Sequence, residues 1–198
     1  DCKLIAEYTF LDLSRSEEEL AIVSRNFYSN YTQQINFVQK ITFTGTATAA
    51  GTKDINLNSL ESSITELLWF VQKTRTAGSS RQHRFKFSYH AGDILDKCSV
   101  IIGDYSLSGN LDVNNFTTNN PLAVGHLVPK KKVHVYSFAL QPTIYSNPSG
   151  FFNLSNKTGV KVRLTFSDFT GNYEGELYAL GRKILIINNG ICTTRDIA

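Results

Sequence analysis

The sequence predicts an all-β fold, and three observations support this prediction. Thirteen Phe and nine Tyr occur among 198 residues, whereas only 19% of the residues are charged. Aromatic and β-branched residues are typical of strands because they pack well on a pleated, half-buried surface. Several segments alternate apolar and polar residues with a period of two, the pattern of a strand with one buried face. The chain is long enough for one domain with a substantial core.

The N-terminal part combines a strand with the one predicted helix. Residues 3–10 alternate in character and predict a first strand. Ser16 and Glu19 have the spacing of a capping box, in which two side chains satisfy backbone N–H groups of the first helical turn. The glutamates at 17–19 are expected to form that solvated turn rather than a metal or acid site. Apolar residues at helical spacing then predict a helix over residues 15–28: Leu20, Val23 and Phe27.

The rest of the chain predicts strands separated by loops of very unequal length. The predicted strands are residues 34–46, 55–57, 65–73, 85–89, 100–107, 133–140, 160–166 and 177–187. Residues 60–73 also fit a helix by spacing, but the run LLWFV is typical of a buried strand. Polar, irregular loops are expected at residues 74–82 and 110–129, and an extended tail after Asn189-Gly190. About eight main strands with long crossovers favour a jelly roll, in which two four-stranded sheets pack together.

Residues 133–155 are central to the interpretation. The first eight are apolar on both faces, which is typical of a strand inside a two-layer protein. Pro142 lacks the N–H that a ladder needs, so the strand is expected to end there. A polar crossing leads to a predicted turn at residues 148–150, where Gly150 supplies a backbone freedom that no other residue has. Apolar residues are expected to anchor the far side of this turn: Phe151, Phe152 and Leu154.

Three short motifs occur in order along the chain: YTFLD at residues 8–12, ELLWFVQ at 66–72, and YSFALQP…PSGFFNLS at 136–155. They resemble motifs of the double jelly-roll major capsid proteins of nucleocytoplasmic large DNA viruses. The corresponding family patterns are Y-x-F-L-D before an acidic helix, K-E-L-I-W-V-V-Q, and YSFAL-x-P…PSG-x-x-N-F/L-S. The crossing at residues 143–147 lacks the charged and His residues that are frequent there in the family, which indicates a divergent member.

The resemblance depends on a defined set of residues, all of which we expect to have structural roles. In the first motif they are Tyr8, Phe10, Leu11 and Asp12, and in the second Glu66, Leu67, Trp69 and Gln72. In the third they are Tyr136, Ser137, Phe138, Ala139, Leu140, Pro142, Pro148, Ser149, Gly150, Asn153 and Ser155. The resemblance favours a strand for residues 65–73, and Trp69 is expected to be buried between the two sheets.

The resemblance implies a structural shell protein. It identifies residues 1–198 as a single jelly-roll domain, the second, C-terminal barrel of a two-barrel subunit. Such subunits form homotrimers that are pseudo-hexagonal capsomers of an icosahedral capsid. The implied partners are other copies of the capsid protein and minor capsid proteins, and the implied location is the virion capsid, assembled in the host cytoplasm. The absence of Met independently indicates a processed chain or a piece of a longer one.

Composition and motif spacing argue against most other functions. The net charge is only +3, and we expect the run Lys130-Lys131-Lys132 to be a solvated loop, so no direct binding of nucleic acid is expected. No stretch is long enough for a transmembrane helix. Three cysteines without a C-x-x-C pair disfavour both a disulfide framework and a zinc site. We expect Cys2, Cys98 and Cys192 to be reduced thiols.

No catalytic, cofactor or metal site is predicted. The four histidines, His83, His90, His126 and His134, contain no H-x-H pair of the kind that cupin-type jelly-roll enzymes use for metal. Hydrolase elbows and phosphate loops are also absent. N-glycosylation sequons occur at Asn30, Asn115, Asn153 and Asn156, but they are weak signals in a chain rich in Asn and Thr. The alternative function is a carbohydrate-binding β-sandwich module, which would need an exposed aromatic face.

Overall fold

The computed structural model describes residues 31–74, 94–129, 132–144, 149–155, 157–188 and 191–196. The chain divides into two compact units. The larger unit contains Gln34–Lys183 and holds nearly all of both sheets described below. The smaller unit combines Asp1–Gln33 with Ile184–Arg195. Its described residues are 31–33, 184–188 and 191–195.

Eleven strands and one short helical segment are described. The strands are β1 (Tyr31–Ala47), β2 (Thr52–Asn56), β3 (Ser63–Lys73), β4 (Leu95–Ile102), β5 (Tyr105–Ser106), β6 (Leu111–Asp112), β7 (His134–Ser137), β8 (Phe152–Asn153), β9 (Val160–Phe166), β10 (Gly171–Asn188) and β11 (Ile191–Asp196). The helical segment is a π-helical turn, Asn115–Asn119, continued by the α-helix α1, Asn120–Ala123. Among the described residues, no helix is long and apolar enough to cross a membrane.

The strands form two sheets with jelly-roll connectivity. Sheet I has the order β1-β10-β3-β7, with β8 also beside β3 and β11 beside β10. Sheet II has the order β2-β9-β4-β5, with β6 also beside β4. Early strands therefore pair with late ones: β1 with β10, β2 with β9, β3 with β7 and β8. This pairing describes a long antiparallel ribbon folded over into two sheets, so the predicted all-β jelly-roll fold is confirmed.

The core lies between the inner faces of the two sheets. Along β9 every second residue is buried, as the period of two predicted for residues 160–166 requires. The buried side chains come from both sheets and include Ile64, Leu67, Trp69, Val71 and Leu177 from sheet I, and Cys98, Val100, Val160, Val162 and Leu164 from sheet II. Phe37 and Phe43 of β1 pack against this cluster from the edge of sheet I.

Two glycines on β10 make room for the aromatic rings of β1. A Cβ at Gly175 would lie 2.5 Å from the carbonyl oxygen of Phe70 and would collide with the ring of Phe43. At Gly181 it would lie 2.5 Å from the carbonyl oxygen of Ser63 and from the ring of Phe37. Glycine inside a strand often marks such a close approach. These glycines therefore allow large side chains of the edge strand to reach the core.

Several predicted strands have wrong boundaries. The strand predicted at residues 100–107 begins five residues earlier, at Leu95, and then turns back at Gly103 and Asp104 into β5. Gly103 has φ = +57°, which allows this tight turn. The strand predicted at residues 133–140 covers only His134–Ser137, so it ends before Pro142. The N–H of Phe138 still bonds the carbonyl oxygen of Thr65 on β3 at 2.8 Å. The strand ends just after it, where the hydroxyl of Ser137 accepts the N–H of Ala139 at 3.1 Å.

The loop predicted at residues 110–129 is only partly irregular. It contains β6 and the helical segment, and Phe116 within that segment is fully buried. Because the surrounding sequence is polar and rich in Asn, no apolar residues recur there at helical spacing. The helical segment could therefore not be predicted from the sequence. Several predictions lie outside the described residues: the strand at residues 3–10, the helix at 15–28, the loop at 75–82 and the strand at 85–89.

Candidate functional site: the crossover and outer face of sheet I

The crossover between β7 and β8 carries most of the third motif. Gly150 has φ = +150°, in the region that favours glycine. A Cβ at this position would lie 2.7 Å from the carbonyl oxygen of Phe138 and 3.2 Å from the Cα of Ala139. The backbone at Gly150 therefore passes directly against the residues that follow β7, and a side chain would not fit there.

The polar residues of this motif satisfy backbone groups. Each accepts an N–H that has no partner in a strand ladder, which stabilises an irregular path at the protein surface. The N–H donors and oxygen acceptors are Gln141 to Ser149 Oγ at 2.7 Å, Ser155 to Asn153 Oδ1 at 2.8 Å, and Ser62 to Ser155 Oγ at 3.0 Å. These hydrogen bonds thus stabilise the crossover internally and link it to the connection before β3.

A buried arginine, which the sequence analysis did not single out, fixes the crossover on sheet I. Arg182 of β10 is 3% exposed, and its Nη2 donates to the carbonyl oxygens of Pro142 at 3.3 Å and Ile144 at 3.0 Å. A rigid guanidinium can bridge two carbonyl groups in this way. In the sequence, Arg182 cannot be distinguished from a solvent-exposed charged residue on a strand. Its burial could therefore not be predicted.

Glu66 of the second motif forms a second link to sheet I. Its carboxylate is nearly buried, and Oε1 lies 2.7 Å from Nε2 of His126 in the loop after α1. The same loop passes close to the crossover, because a Cβ on Gly125 would lie 3.9 Å from the hydroxyl oxygen of Thr143. The two connections that flank β7 therefore meet above one end of sheet I.

Trp69 lies on the opposite, inner face of β3 and is completely buried, as predicted. It stacks on His134 with ring centroids 5.4 Å apart and packs against Phe116 at 5.3 Å. From Phe116 the contacts continue through Tyr136 and Phe138 to Phe152. This aromatic row joins the second and third motifs, because it includes Trp69 of the second and Tyr136, Phe138 and Phe152 of the third.

Cys98 faces Trp69 across the core. Burial raises the pKa of the Cys98 thiol to about 12, and its interaction with the Trp69 side chain offsets this effect only in part. A thiol with this pKa has almost no thiolate at neutral pH and is therefore inert. Among the described residues, no cluster of three metal-ligating side chains occurs.

The outer face of sheet I has an apolar middle. A groove of about 440 Å³ lies there, and its lining includes Val38 of β1, Leu68 and Phe70 of β3, Val133 just before β7, and Tyr178 and Leu180 of β10. Val38 is 61% exposed. Toward one end the face becomes polar: Lys40 pairs with Glu176 at 2.5 Å, and Gln72 donates to Glu174 at 2.7 Å. At the other end lie the crossover and its Arg182 anchor.

The outer face of sheet II is polar and charged. Asp54 of β2 binds Arg163 of β9 through two hydrogen bonds of 2.7 and 2.9 Å, and Lys161 lies 2.9 Å from the same carboxylate. These cations, Arg163 foremost, lower the pKa of Asp54 to about 2. A polar pocket beside them is lined by Ser99, Asp104, Ser106 and Asn110 among others. Two short strands of this sheet nevertheless expose apolar side chains, Tyr105 on β5 (81%) and Leu111 on β6 (37%).

The structure places the described motif residues in three settings. Leu67, Trp69, Ala139 and Pro142 are buried, whereas Leu140 is exposed beside the crossover. Ser149, Gly150, Asn153 and Ser155 shape the turn and the strand after it. Tyr8, Phe10, Leu11, Asp12 and Pro148 lie outside the described residues, as do His83, His90, Cys2, and the sequons at Asn30 and Asn156. In the described part, the motifs thus form a framework rather than a reactive centre.

Comparison with solved structures identifies proteins of the same fold. A quasi-atomic model of the PBCV-1 virus capsid matches with a TM-score of 0.69 and 16% identity, covering 90% of this chain and 55% of that chain. The Faustovirus major capsid protein matches with a TM-score of 0.68 and 14% identity, covering 87% of this chain and 36% of that chain. The chain thus spans about half of the PBCV-1 capsid chain. A search of curated protein sequences finds no match.

The sequence profile of one family covers most of the chain. The family is described as large eukaryotic DNA virus major capsid protein, and the profile matches residues 19–188. The matched region includes every described strand from β1 to β10 and both motifs on sheet I. The chain belongs to this family of viral major capsid proteins.

Proposed function

We propose that this chain is the second, C-terminal barrel of a two-barrel major capsid protein, three copies of which form a pseudo-hexagonal capsomer of an icosahedral shell. The observation that carries the proposal is the family match over residues 19–188. The jelly-roll order of the two sheets and the half-length coverage of the PBCV-1 capsid chain also support it. The whole residue range 1–198 is then a single barrel within the longer subunit.

The local chemistry supports a structural rather than a catalytic role. Polar motif residues such as Ser149, Asn153 and Ser155 bind backbone groups of the chain itself. His134 stacks on Trp69, and His126 contacts Glu66, so both described histidines take part in packing. Groups of this kind stabilise a fixed surface that can be repeated many times. We therefore assign the chain no enzymatic activity and no cofactor.

The proposed partners follow from the same role. Other copies of the capsid protein surround each subunit, minor capsid proteins bind to the lattice, and the shell is assembled in the host cytoplasm. On sheet II, Lys161 and Arg163 are paired with the carboxylate of Asp54 rather than left as free cations. A direct contact with nucleic acid is accordingly not part of the proposal.

A carbohydrate-binding module remains the alternative class, and Trp69 argues against it. Sugar-binding β-sandwiches need an aromatic ring on an accessible face, whereas Trp69 is enclosed between His134 and Phe116. A glycan array separates the two functions. The shell protein is expected to bind no glycan, and submillimolar binding to a defined sugar would favour the module.

The decisive experiment is sedimentation velocity on the complete two-barrel protein and on the 198-residue chain. The complete protein is expected to sediment as a trimer at micromolar concentration, because a closed ring requires both barrels of each subunit. The 198-residue chain is expected to be monomeric or to aggregate. A complete protein that remains a monomer at this concentration would contradict the proposed capsomer.

A further inference from the structure

We propose that the polar pocket on the outer face of sheet II binds a small zwitterion of the amino-acid type. The site does not depend on the role of the chain in a shell, and none of its lining residues belongs to the three sequence motifs. The pocket has a volume of about 320 Å³, at the lower end of the range that ligand sites occupy. Its lining includes Ser99, Ile101, Asp104, Ser106, Lys161 and Arg163.

The floor of the pocket comes from β4. Side chains of this strand alternate between the core and the outer face, and Ser99 and Ile101 face outward. Ser99 pairs with Arg163 of β9. Ile101 pairs with Lys161 of β9 on one side and with Ser106 of β5 on the other. The side chains of β9 and β5 therefore form two walls beside a floor of one hydroxyl and one apolar side chain.

The hydroxyl of Ser99 is the observation that points to a ligand. Ser99 is only 3% exposed, and its hydroxyl forms no hydrogen bond with any group in the described part of the chain. Buried hydroxyls nearly always have a partner, because an unmade hydrogen bond costs free energy. The nearby Ser108 shows the usual case, since its Oγ accepts the N–H of Val100 at 2.9 Å. For Ser99, the missing partner has to come from solvent or from a molecule bound in the pocket.

Charges of both signs line the pocket. On β9, Lys161 and Arg163 bind the carboxylate of Asp54 on β2, the strand on the far side of β9 from the pocket. The hydrogen bonds of Arg163 in this pair come from Nε and Nη2, so its Nη1 is not used there. In the turn after β4, Asp104 is exposed and forms no ion pair with another described residue. The pocket therefore offers N–H donors on one wall and an unpaired carboxylate at the turn.

This distribution of charge favours a ligand that carries both charges. The two cations and one carboxylate of the lining, together with Asp54, sum to zero, so a simple anion or cation would gain little net attraction. A zwitterion places its carboxylate at Arg163 and Ser99 and its ammonium group at Asp104, with charge-assisted hydrogen bonds at both ends. Its apolar carbons then lie over Ile101. A sugar fits less well, because no described lining residue is an aromatic platform.

Saturation-transfer difference NMR on the complete capsid protein tests the pocket with three small probes. Free L-alanine carries both charges, acetate carries only the carboxylate, and ethylammonium carries only the ammonium group. We expect L-alanine to bind with a Kd of about 1–10 mM, and each singly charged probe to bind about tenfold more weakly or less. Equal binding of acetate and L-alanine would overturn the zwitterion as the ligand class, and the absence of a saturable signal from L-alanine would overturn the site.

Two variants show whether the signal comes from this pocket. Ser99→Ala removes the hydroxyl of the floor and Asp104→Asn removes the charge at the turn, and each is expected to weaken L-alanine binding by about fivefold or more. Asp168→Asn is the matched control, because this exposed carboxylate lies between β9 and β10 and outside the lining. Ser99→Ala is expected to keep the thermal midpoint, since its hydroxyl has no partner among the described residues, so lost binding would not reflect unfolding. Unchanged binding in both variants would overturn the assignment to this pocket while leaving the capsid role intact.

Discussion

At the scale of single residues, Gly150 has the sharpest requirement in the chain. Replacement by alanine would bring a Cβ within 2.7 Å of the Phe138 carbonyl oxygen, in addition to the cost of a positive φ. We expect Gly150→Ala to lower the free energy of unfolding by about 1–3 kcal/mol. Gly103→Ala is the matched control, because φ is also positive there but nothing lies within 4 Å of the new methyl group. Equal losses in urea denaturation would exclude a special role for Gly150.

Substitution of Trp69 tests the packing of the core, again at a single residue. Because its ring is fully buried between His134 and Phe116, Trp69→Ala would leave a large cavity and is expected to cost about 3–5 kcal/mol. The wild-type fluorescence, which comes mainly from the only tryptophan, is expected to be blue-shifted and poorly quenched by iodide. A red-shifted, readily quenched emission would contradict the position of β3 and would favour an exposed sugar-binding ring.

At the scale of elements, the edge strand β2 depends on ion pairs. Arg163 and Lys161 lower the pKa of Asp54 to about 2 from an ordinary value of 3.8. A carboxyl whose pKa is lower in the folded state stabilises the fold above its ordinary pKa, and this contribution is lost as the pH falls toward 2. Since Arg163 is 42% exposed, we expect only about 1 kcal/mol from these pairs at neutral pH.

Asp54→Asn provides the measurement. The variant is expected to be less stable than the wild type at pH 6 and equally stable near pH 2, as determined by urea denaturation across this range. Asp104→Asn, in the turn between β4 and β5, is the control for removing one surface carboxylate. A stability difference that persists unchanged at pH 2 would show that Asp54 acts through something other than its charge.

The elements also show how far the sequence could predict the fold. Period-two patterns located β1 and β9 well, because each strand buries one face. The strand β3 was predicted from its apolar run and from the family resemblance, since its spacing also fitted a helix. The pattern failed where a short local bond determined the structure, as at Ser137, where β7 ends early. It also failed at the buried Arg182 and the Glu66–His126 contact, since both join residues far apart in sequence. Ser149, Asn153 and Ser155 could be singled out in the sequence as motif residues, but only the structure shows that they bind backbone groups.

At the scale of the whole molecule, the jelly roll makes the two ends of the chain depend on each other. The central strand of sheet I, β10, is the last long strand, yet it lies between β1 and β3 from the first half of the chain. Most contacts of this kind form only after distant segments meet, which makes such folds slow to form. The barrel therefore cannot be stable until β10 has been added, whereas β11 lies mainly in the smaller unit.

Two truncations test this dependence. Removal of residues 171–198 deletes β10, exposes the inner edges of β1 and β3, and leaves Arg182 absent from the crossover. We expect this chain to lose its cooperative thermal transition and its strand signal in circular dichroism. Removal of residues 189–198 deletes only β11 and is expected to keep the transition, with a small decrease in the midpoint. A cooperative transition in the shorter chain would show that sheet I does not need β10, and would contradict the central position of β10 between β1 and β3.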